Sequence, residues 1–321
     1  MKQPKKTRVV VVGTGFVGST YAFALSGARL ATELVLIDRD PRKAEGEAMD
    51  LNHAMAFLPP MRIWAGDYDD CREADIVVIT AGAAQKPGET RLDLLARNAA
   101  IFRDICSRIV AAGFQGVLVV ATNPVDVLSY VSWKCSGLPA SRVIGSGTLL
   151  DTARFRFLLD EYFGVDPRNV HANVIGEHGD TELPVWSHAD IAGQPVELMA
   201  ERDPRYSREG LEGVFLDVRD AAYRIIERKG ATYYAIGMGL VRLTQAILRN
   251  ENAILTVSTL LAGEYGADDI YIGVPAVVNR DGIREIMELD LTAEESAAFR
   301  RSVGVLKEAT ASVFVETADT P

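Results

Sequence analysis

His178 is the side chain whose surroundings best suit acid–base chemistry. It stands in the segment Ile175-Gly176-Glu177-His178-Gly179-Asp180, between glycines and directly after an apolar stretch. An imidazole titrates near neutral pH and can therefore give or accept a proton under physiological conditions. The other histidines lack this combination of flexible flanks and nearby acids: His53, His171 and His188. Because histidines are more often structural, the pattern alone leaves both interpretations open.

Asp151 and Arg154 lie three residues apart in a stretch with a helical pattern, Leu149–Phe163. Residues at positions i and i+3 share one face of a helix, so both side chains can point into one cleft. Such a pair is usually an ordinary ion pair. A catalytic interpretation therefore depends on a third group such as His178.

A long loop, residues 82–91, follows a predicted strand and reads Gly-Ala-Ala-Gln-Lys-Pro-Gly-Glu-Thr-Arg. Its glycines and Pro-Gly turn are typical of a mobile lid. Arg91 would then come over a substrate only on closure, when water is expelled and its charge acts more strongly. Taken alone, Arg91 better fits an exposed arginine in the first turn of the next helix.

A glycine-rich turn follows the first apolar run and reads Gly13-Thr14-Gly15-Phe16-Val17-Gly18, with a helical stretch after it. In a strand–turn–helix context this pattern indicates a dinucleotide site. Gly13 permits the tight turn, Gly15 lets the backbone approach a pyrophosphate, and Gly18 lets the helix pack on the strand. The alternative is a glycine-rich turn that binds no ligand.

Asp38 closes the next predicted strand, twenty residues after Gly18. Its carboxylate would accept hydrogen bonds from the adenosine ribose and would repel a 2′-phosphate, which favours NAD over NADP. The neighbouring Arg39 is the one feature that points the other way.

The elements that must position these groups follow an α/β pattern. Short β-branched runs alternate with helical stretches through the first half of the chain, and two of the runs are almost wholly apolar, as in parallel strands covered on both faces. The runs are residues 8–12, 34–37, 75–80 and 116–121. We predict an α/β fold with a doubly wound parallel sheet (Rossmann), whose binding crevice lies at the carboxyl ends of the strands.

After about Gly147 the pattern changes to a helix, short mixed strands between residues 170 and 196, and then long helices. We therefore predict an NAD-binding Rossmann domain over residues 1–146 and a mixed α+β substrate-binding domain over residues 147–321. The passage between them is expected at Gly145-Ser146-Gly147, since glycines punctuate the pattern there.

Composition excludes several classes of protein. The chain has 34 Lys and Arg against 44 Asp and Glu, a net charge of -10, which disfavours nucleic-acid binding. Its three cysteines lack the spacing of a disulfide framework or of a metal site: Cys71, Cys106 and Cys135. We expect no metal. No run approaches the about 18 apolar residues of a membrane span, and no signal peptide is evident, so we expect a cytoplasmic protein without membrane association.

Long motifs of this chain resemble the L-lactate dehydrogenases of the lactate/malate dehydrogenase family over nearly its whole length. They are the glycine turn, AGAAQKPGETRLDLL, VATNPVD, VIGSGTLLDTARFRFLL and VIGEHGDTELPVWS. The resemblance implies reversible hydride transfer between NADH and pyruvate, giving L-lactate and NAD. The L configuration rests on the resemblance alone.

The resemblance also implies roles for the residues introduced above. His178 would be the proton donor and acceptor, Asp151 would orient it, Arg154 would bind the substrate carboxylate, and Arg91 would polarise the carbonyl. Further substrate-binding residues implied by the same motifs are Gln85, Asn123, Asp126 and Thr232. Beyond Gly13, Gly15, Gly18 and Asp38, the residues expected along NAD are Val17, Lys43, Tyr68, Gly82, Ala83, Ala121, Thr122, Asn123 and Ser146.

The substrate prediction depends on Gln85. The resembling malate dehydrogenases typically carry an arginine at this position of the lid, because the second carboxylate of oxaloacetate needs a cation under a closed lid. Gln85 is neutral, which favours pyruvate, although Lys86 is adjacent. Malate dehydrogenase is therefore the alternative enzyme. A non-catalytic NAD-binding protein is the alternative of another class, but it need not keep His178, Asp151 and the arginines.

Arg156 follows Arg154 by two residues and must face another surface. Together with His171 it resembles the fructose 1,6-bisphosphate site of allosteric bacterial lactate dehydrogenases, formed where two subunits meet. The resemblance implies a homotetramer that the bisphosphate activates, because it would neutralise like charges brought together by symmetry. By themselves, Arg156 and His171 would be unremarkable surface residues.

Overall fold

The computed structural model describes residues 6–83 and 90–315, apart from the side chains of Arg91 and Val315. The strands are β1 (Arg8–Val12), β2 (Glu33–Ile37), β3 (Arg62–Ala65), β4 (Ile76–Ile79), β5 (Val117–Val120), β6 (Val143–Gly145), β7 (Val170–His171), β8 (Val174–Ile175), β9 (Leu183–Pro184), β10 (Asp190–Ile191), β11 (Gln194–Pro195), β12 (Ala253–Ala262), β13 (Asp268–Asn279) and β14 (Gly282–Ile286). The helices are α1 (Phe16–Gly27), α2 (Pro41–Ala54), α3 (Arg91–Ala111), α4 (Val125–Ser136), α5 (Leu149–Phe163), α6 (Val196–Arg202), α7 (Arg208–Lys229), α8 (Tyr234–Leu248) and α9 (Ala293–Val315).

Over the described ranges, the main sheet has nine strands in the order β14-β13-β12-β6-β5-β4-β1-β2-β3. The six from β6 to β3 are all parallel, which confirms the predicted doubly wound sheet. The four predicted runs correspond to β1, β2, β4 and β5. The short strand β3 was not predicted.

Helices cover both faces of this sheet, which explains why its central strands are apolar on nearly every residue. Val10 and Val12 of β1 belong to the core under α3, α4 and α9, while Val9 and Val11 belong to the core under α1, α2 and α8. Side chains alternate between the faces of a strand, so a strand buried on both sides loses its polar alternation.

The second half of the chain departs from the expected run of long helices. β12 and β13 form a long antiparallel hairpin that joins the main sheet, where Ser258 pairs with Gly145. Val170 of β7, Val174 of β8 and Ile191 of β10 pack with α5, α6 and α7 in a separate core. The mixed α+β character predicted for this half is therefore confirmed, but the hairpin was missed. In the residues described, no helix combines the length and apolarity needed to cross a membrane.

Candidate active site

Five chain segments that carry predicted site residues meet at one edge of the sheet. They follow the carboxyl ends of parallel strands: Gly13 after β1, Asp38 after β2, Gly82 after β4, Ala121 after β5 and Ser146 after β6. In open α/β sheets this edge holds the ligand crevice. The topology therefore collects residues that are far apart in the sequence.

The glycine turn has the geometry that a bound pyrophosphate requires. Gly13 has φ +102, and a Cβ there would lie 2.5 Å from the backbone nitrogen of Ala81. A Cβ at Gly18 would lie 2.0 Å from the carbonyl oxygen of Gly13, so α1 packs on β1 only without a side chain. At Gly15, the residue before α1, a Cβ would meet nothing within 4 Å. Open space at a helix N-terminus, where backbone N–H groups lack partners, suits an anion.

Asp38 is hydrogen-bonded to this turn. Its Oδ2 accepts hydrogen bonds from the Thr14 backbone nitrogen at 2.8 Å and from the Thr14 hydroxyl at 2.9 Å, and its Oδ1 accepts one from Asp40. Partial burial opposes ionisation, but these hydrogen bonds outweigh it and lower the pKa of Asp38. The carboxylate is thus held charged beside the glycine turn, as a ribose-binding residue needs to be. These residues fit NAD.

Local hydrogen bonds fix the other segments at this edge. The Ala83 backbone nitrogen donates to Oδ1 of the buried Asn98 at 2.8 Å, and the Thr122 hydroxyl donates to the Ala81 carbonyl at 2.8 Å. The peptide between Asn123 and Pro124 is cis. Asn98 was not found from the sequence, because an asparagine inside a helical stretch carries no local signal.

The remaining predicted cofactor residues differ in exposure. Ser146 is buried after β6, and Val17 is half-buried in α1. Lys43 is exposed in α2. Tyr68 is half-buried, and the guanidinium of Arg108 lies over its ring, 4.8 Å from the centroid.

Gly15 and Gly18 provide a matched pair of substitutions. We expect Gly18→Ala to lower the free energy of unfolding by at least about 1–3 kcal/mol, because the Cβ overlaps a backbone atom. Gly15→Ala should change it by less than about 1 kcal/mol and yet weaken NADH binding, since its Cβ enters the open space. Denaturant unfolding and NADH fluorescence titration would measure both effects. Equal stability of the two variants would contradict this account of the turn.

Asp151 lies between His178 and Arg154 and bonds to both. Its Oδ2 is 2.6 Å from His178 Nδ1, and its Oδ1 accepts a hydrogen bond from Arg154 Nη1 at 3.0 Å. The Asp151 side chain is 2% exposed, whereas those of His178 and Arg154 are 22% and 12% exposed. The histidine and the arginine therefore share one buried carboxylate and remain accessible from the cleft.

This arrangement favours the charged imidazole. Burial favours the neutral ring, but the negative charge and hydrogen bond of Asp151, with smaller effects of the carboxyl groups of Asp126 and Glu182, raise the pKa of His178 to about 9. Burial also opposes ionisation of Asp151, yet His178 and Arg154 lower its pKa. At neutral pH the site thus holds an imidazolium whose Nε2 is not engaged by Asp151, which can give a proton to a substrate oxygen.

Asp126 of α4 fixes the backbone of the loop that carries His178. Its Oδ2 accepts a hydrogen bond from the His178 backbone nitrogen at 2.9 Å, and it is 2% exposed. Burial raises the pKa of Asp126 to about 6. The residue expected to bind substrate directly is thus seen here to bond to the backbone of the histidine.

Ser302 of α9 also forms hydrogen bonds with the loop that carries His178. Its hydroxyl accepts a hydrogen bond from the Glu177 backbone nitrogen at 2.7 Å and lies 3.0 Å from the Thr181 hydroxyl. Ser302 is fully buried. It was missed because a serine in a helix, 125 residues after Glu177, carries no local sign of this contact.

The predicted lid is only partly described. Gln85 lies outside the described residues, and so does the side chain of Arg91. α3 begins at Arg91 because Thr90 and Asp93 form a capping box, in which each side chain accepts a hydrogen bond from the backbone nitrogen of the other residue. Thr232 is half-buried between α7 and α8, beside Tyr233, whose ring stacks on Phe16 at the start of α1.

Arg156 lies on α5 and bonds away from Asp151. Its Nε donates to the Ala172 carbonyl at 2.9 Å, next to the exposed His171. Of the two residues expected at the allosteric site, Arg156 thus bonds to the backbone of the residue that follows the other, His171.

Comparisons with known proteins agree over both halves of the chain. The family profile described as "lactate/malate dehydrogenase, NAD binding domain" matches residues 7–145, and "lactate/malate dehydrogenase, alpha/beta C-terminal domain" matches residues 148–317. An L-lactate dehydrogenase of Geobacillus kaustophilus is 62% identical over 317 residues, 98% of this chain and 100% of that protein. One of Bacillus caldotenax is 62% identical over the same shares of both chains.

Solved structures agree as well. The minor L-lactate dehydrogenase from Enterococcus mundtii in its ligands-bound form superposes with a TM-score of 0.95 at 49% identity, covering 97% of this chain and 99% of that one. MGS-M5, a lactate dehydrogenase from a Medee basin deep-sea metagenome library, gives a TM-score of 0.94 at 53% identity over the same shares. The chain therefore belongs to the lactate/malate dehydrogenase family and is an NAD-dependent oxidoreductase of the L-lactate dehydrogenase type.

Proposed function

We propose that this protein interconverts pyruvate and L-lactate, with His178 as the group that gives and takes the proton. The observation that carries the proposal is the single buried carboxylate of Asp151, which bonds to His178 at 2.6 Å and to Arg154 at 3.0 Å. One residue thereby sets the orientation of the proton donor and of the cation that would hold the substrate.

Arg154 would bind the carboxylate of pyruvate. Its Nη1 is engaged by Asp151, and its remaining N–H donors offer the planar fork that a carboxylate accepts in two parallel hydrogen bonds. Such a clamp would place the keto oxygen near His178 and remove much of the orientational entropy cost of the reaction.

When bound along the glycine turn and Asp38, NADH would supply a hydride for the keto carbon. The keto oxygen takes the proton of the His178 imidazolium, so that pyruvate, one hydride and one proton give lactate, and the neutral imidazole takes a proton from solvent for the next cycle. Asp151 stabilises the imidazolium before transfer and keeps Nδ1 protonated afterwards. Arg91, following the predicted lid, would polarise the carbonyl as charge develops on its oxygen, and Asn123 would donate a hydrogen bond nearby.

Gln85 supports pyruvate over oxaloacetate on the grounds of charge. An uncharged amide leaves the second carboxylate of oxaloacetate without a partner, which costs several kcal/mol in a closed site. Malate dehydrogenase remains the second candidate, since Lys86 is adjacent to this position.

The proposal also assigns cofactor binding and substrate binding to separate domains. Residues 1–146 would form the NAD-binding domain and residues 147–321 the substrate-binding domain. In support, the glycine turn and Asp38 lie before this boundary, while Asp151, Arg154 and His178 lie after it.

The test is to follow NADH absorbance with the purified protein, offering pyruvate and oxaloacetate separately over a range of concentrations. We expect kcat/KM to be larger for pyruvate. A preference for oxaloacetate would mean that the charge argument at Gln85 is wrong and that the protein is a malate dehydrogenase. Turnover of neither, with NADH still bound, would point to a non-catalytic NAD-binding protein.

We further propose a homotetramer in the cytoplasm. Large apolar side chains are exposed on α1 and α8, which pack together: Phe23 is 60%, Tyr234 67% and Met238 59% exposed. Such a patch is typical of a subunit interface.

All three cysteines are free thiols, which supports a reducing compartment.

Fructose 1,6-bisphosphate is the proposed activator, with Arg156 and His171 as its ligands. The hydrogen bond from Arg156 to the Ala172 carbonyl supports this, because it fixes the guanidinium at the backbone of the residue that follows His171. α5 carries both Arg156 and Arg154, so a shift of this helix would reach the substrate clamp.

We expect the bisphosphate to lower the pyruvate concentration at half-saturation in the wild type, and Arg156→Gln to abolish this response. The variant loses a phosphate-binding cation but no group of the proton-transfer site, so its rate without bisphosphate should be close to that of the wild type. Pyruvate saturation curves with and without the bisphosphate measure both. Identical wild-type curves would remove the idea of activation.

A further inference from the structure

A second buried carboxyl group, Glu182, lies beside the Asp151–His178 pair. It follows His178 by four residues and directly precedes β9, and it is 8% exposed. One oxygen of Asp151, one oxygen of Glu182 and one ring nitrogen of His178 all lie within 4.8 Å of one another. The proposed mechanism gives this carboxyl no role.

Two carboxylates cannot both stay ionised at this distance in a buried site without a large cost, so one of them keeps a proton. The surroundings decide which one. Asp151 accepts hydrogen bonds from Arg154 and His178, both cationic, and these lower its pKa. Burial and then the negative charge of Asp151 raise the pKa of Glu182 to about 9.

Other charged groups also face this cluster, from three helices. Arg154 approaches from α5 and Arg219 from α7, and both carry positive charge toward Glu182. Asp126 of α4 adds a further negative charge beside His178. Neither arginine removes the need for a proton, because Arg154 is already paired with Asp151 and Arg219 with the exposed Asp220.

We propose that Glu182 is a positioning residue that acts as a neutral acid, donating a hydrogen bond to Asp151 and thereby limiting how strongly Asp151 holds the proton on His178. Each donor to a carboxylate draws negative charge from it, so a third donor beside Arg154 and His178 makes Asp151 a weaker partner for the imidazolium. The effect keeps the acidity of His178 closer to the working pH, where a general acid is most effective. This inference rests on the proposed role of His178 as proton donor.

The experiment compares Glu182→Gln with Glu182→Met in the full-length protein. Glutamine keeps a neutral donor of the same length, whereas methionine fills a similar volume without a donor. The fraction of neutral His178 is measured directly, as the rate at which diethyl pyrocarbonate modifies the peptide that contains His178, followed by mass spectrometry from pH 6 to about pH 10. The pH dependence of kcat/KM for pyruvate is measured in parallel.

We expect the pH midpoint for Glu182→Met to lie about one unit above that for Glu182→Gln, which is roughly tenfold in the protonation ratio of His178. The two variants are compared with each other because neither carries a carboxyl group that ionises near the midpoint. Equal midpoints in the two variants, both of which bind NADH like the wild type, would overturn the proposal, because a neutral donor at this position would then have no effect on His178.

The two readouts separate this proposal from the proposed function. The modification rate needs no turnover, so the expected pattern of midpoints would establish the link between Glu182 and His178 even if neither pyruvate nor lactate were a substrate. Conversely, turnover of pyruvate with equal midpoints in the two variants would retain the function and reject the role of Glu182.

Discussion

Replacing His178 with asparagine is expected to lower kcat/KM for pyruvate by roughly 10²- to 10⁴-fold, the contribution typical of a positioned general acid. Asparagine keeps a polar side chain beside Asp151 but has no proton to give at neutral pH. NADH binding should change little, because the glycine turn and Asp38 do not contact His178. Initial rates and NADH titrations of the same preparations measure the two quantities.

The matched control is His53→Asn, which replaces an exposed histidine on α2, away from the Asp151–His178 pair. We expect this variant to retain the wild-type rate. A His178→Asn variant that loses less than about tenfold would mean that another group supplies the proton, and the assignment of His178 would be wrong.

Replacing Asp151 with asparagine is expected to move the activity toward acid pH and to lower it throughout. The charge of Asp151 raises the pKa of His178 to about 9, while burial alone favours the neutral ring. Without that charge the pKa should fall toward its ordinary value of 6.5, with only Asp126 and Glu182 left to raise it. At pH 8 the loss of reactive imidazolium would be up to roughly 30-fold.

The direction of this shift in pH follows from which protonation state of His178 reacts. Pyruvate reduction needs the protonated ring, so in the wild type kcat/KM should decline as the pH rises through about 9, and in Asp151→Asn it should decline at a lower pH, by up to about two units. Arg154 also loses its partner, so KM for pyruvate is expected to rise as well. The pH profiles of kcat/KM for both proteins provide the measurement, and an unchanged midpoint would contradict the assigned role of Asp151.

Much of the fold could be predicted from the sequence because its signals are local. A strand buried on both faces must be apolar on nearly every residue, as β1 and β4 are, and the turn after β1 needs glycines for contacts made within a few residues. The sequence also indicated His178, Asp151 and Arg154, from glycine flanks and helical spacing. Their proximity could only be hypothesised.

The hairpin β12–β13 was missed because the signals that place it in the sheet are not local. β12 contains polar residues such as Thr256 and Ser258, both buried, so its pattern does not mark it as a strand of a central sheet. Its position is decided by pairing with β6, whose residues come more than a hundred positions earlier. Pairing between distant strands leaves no local periodicity that distinguishes it.

The sequence by itself therefore determined the dinucleotide turn, the parallel strands and the residue types available for acid–base chemistry. Only the tertiary structure decided which partners those residues have. Asp126 bonds to the His178 backbone across 52 positions, and Ser302 bonds to Glu177 across 125. Glu182 is placed beside Asp151 of α5 by the same packing. Backbone propensity acts over a few neighbouring residues, whereas hydrogen bonds and pKa values in a buried site depend on groups that the folded topology brings within a few ångströms.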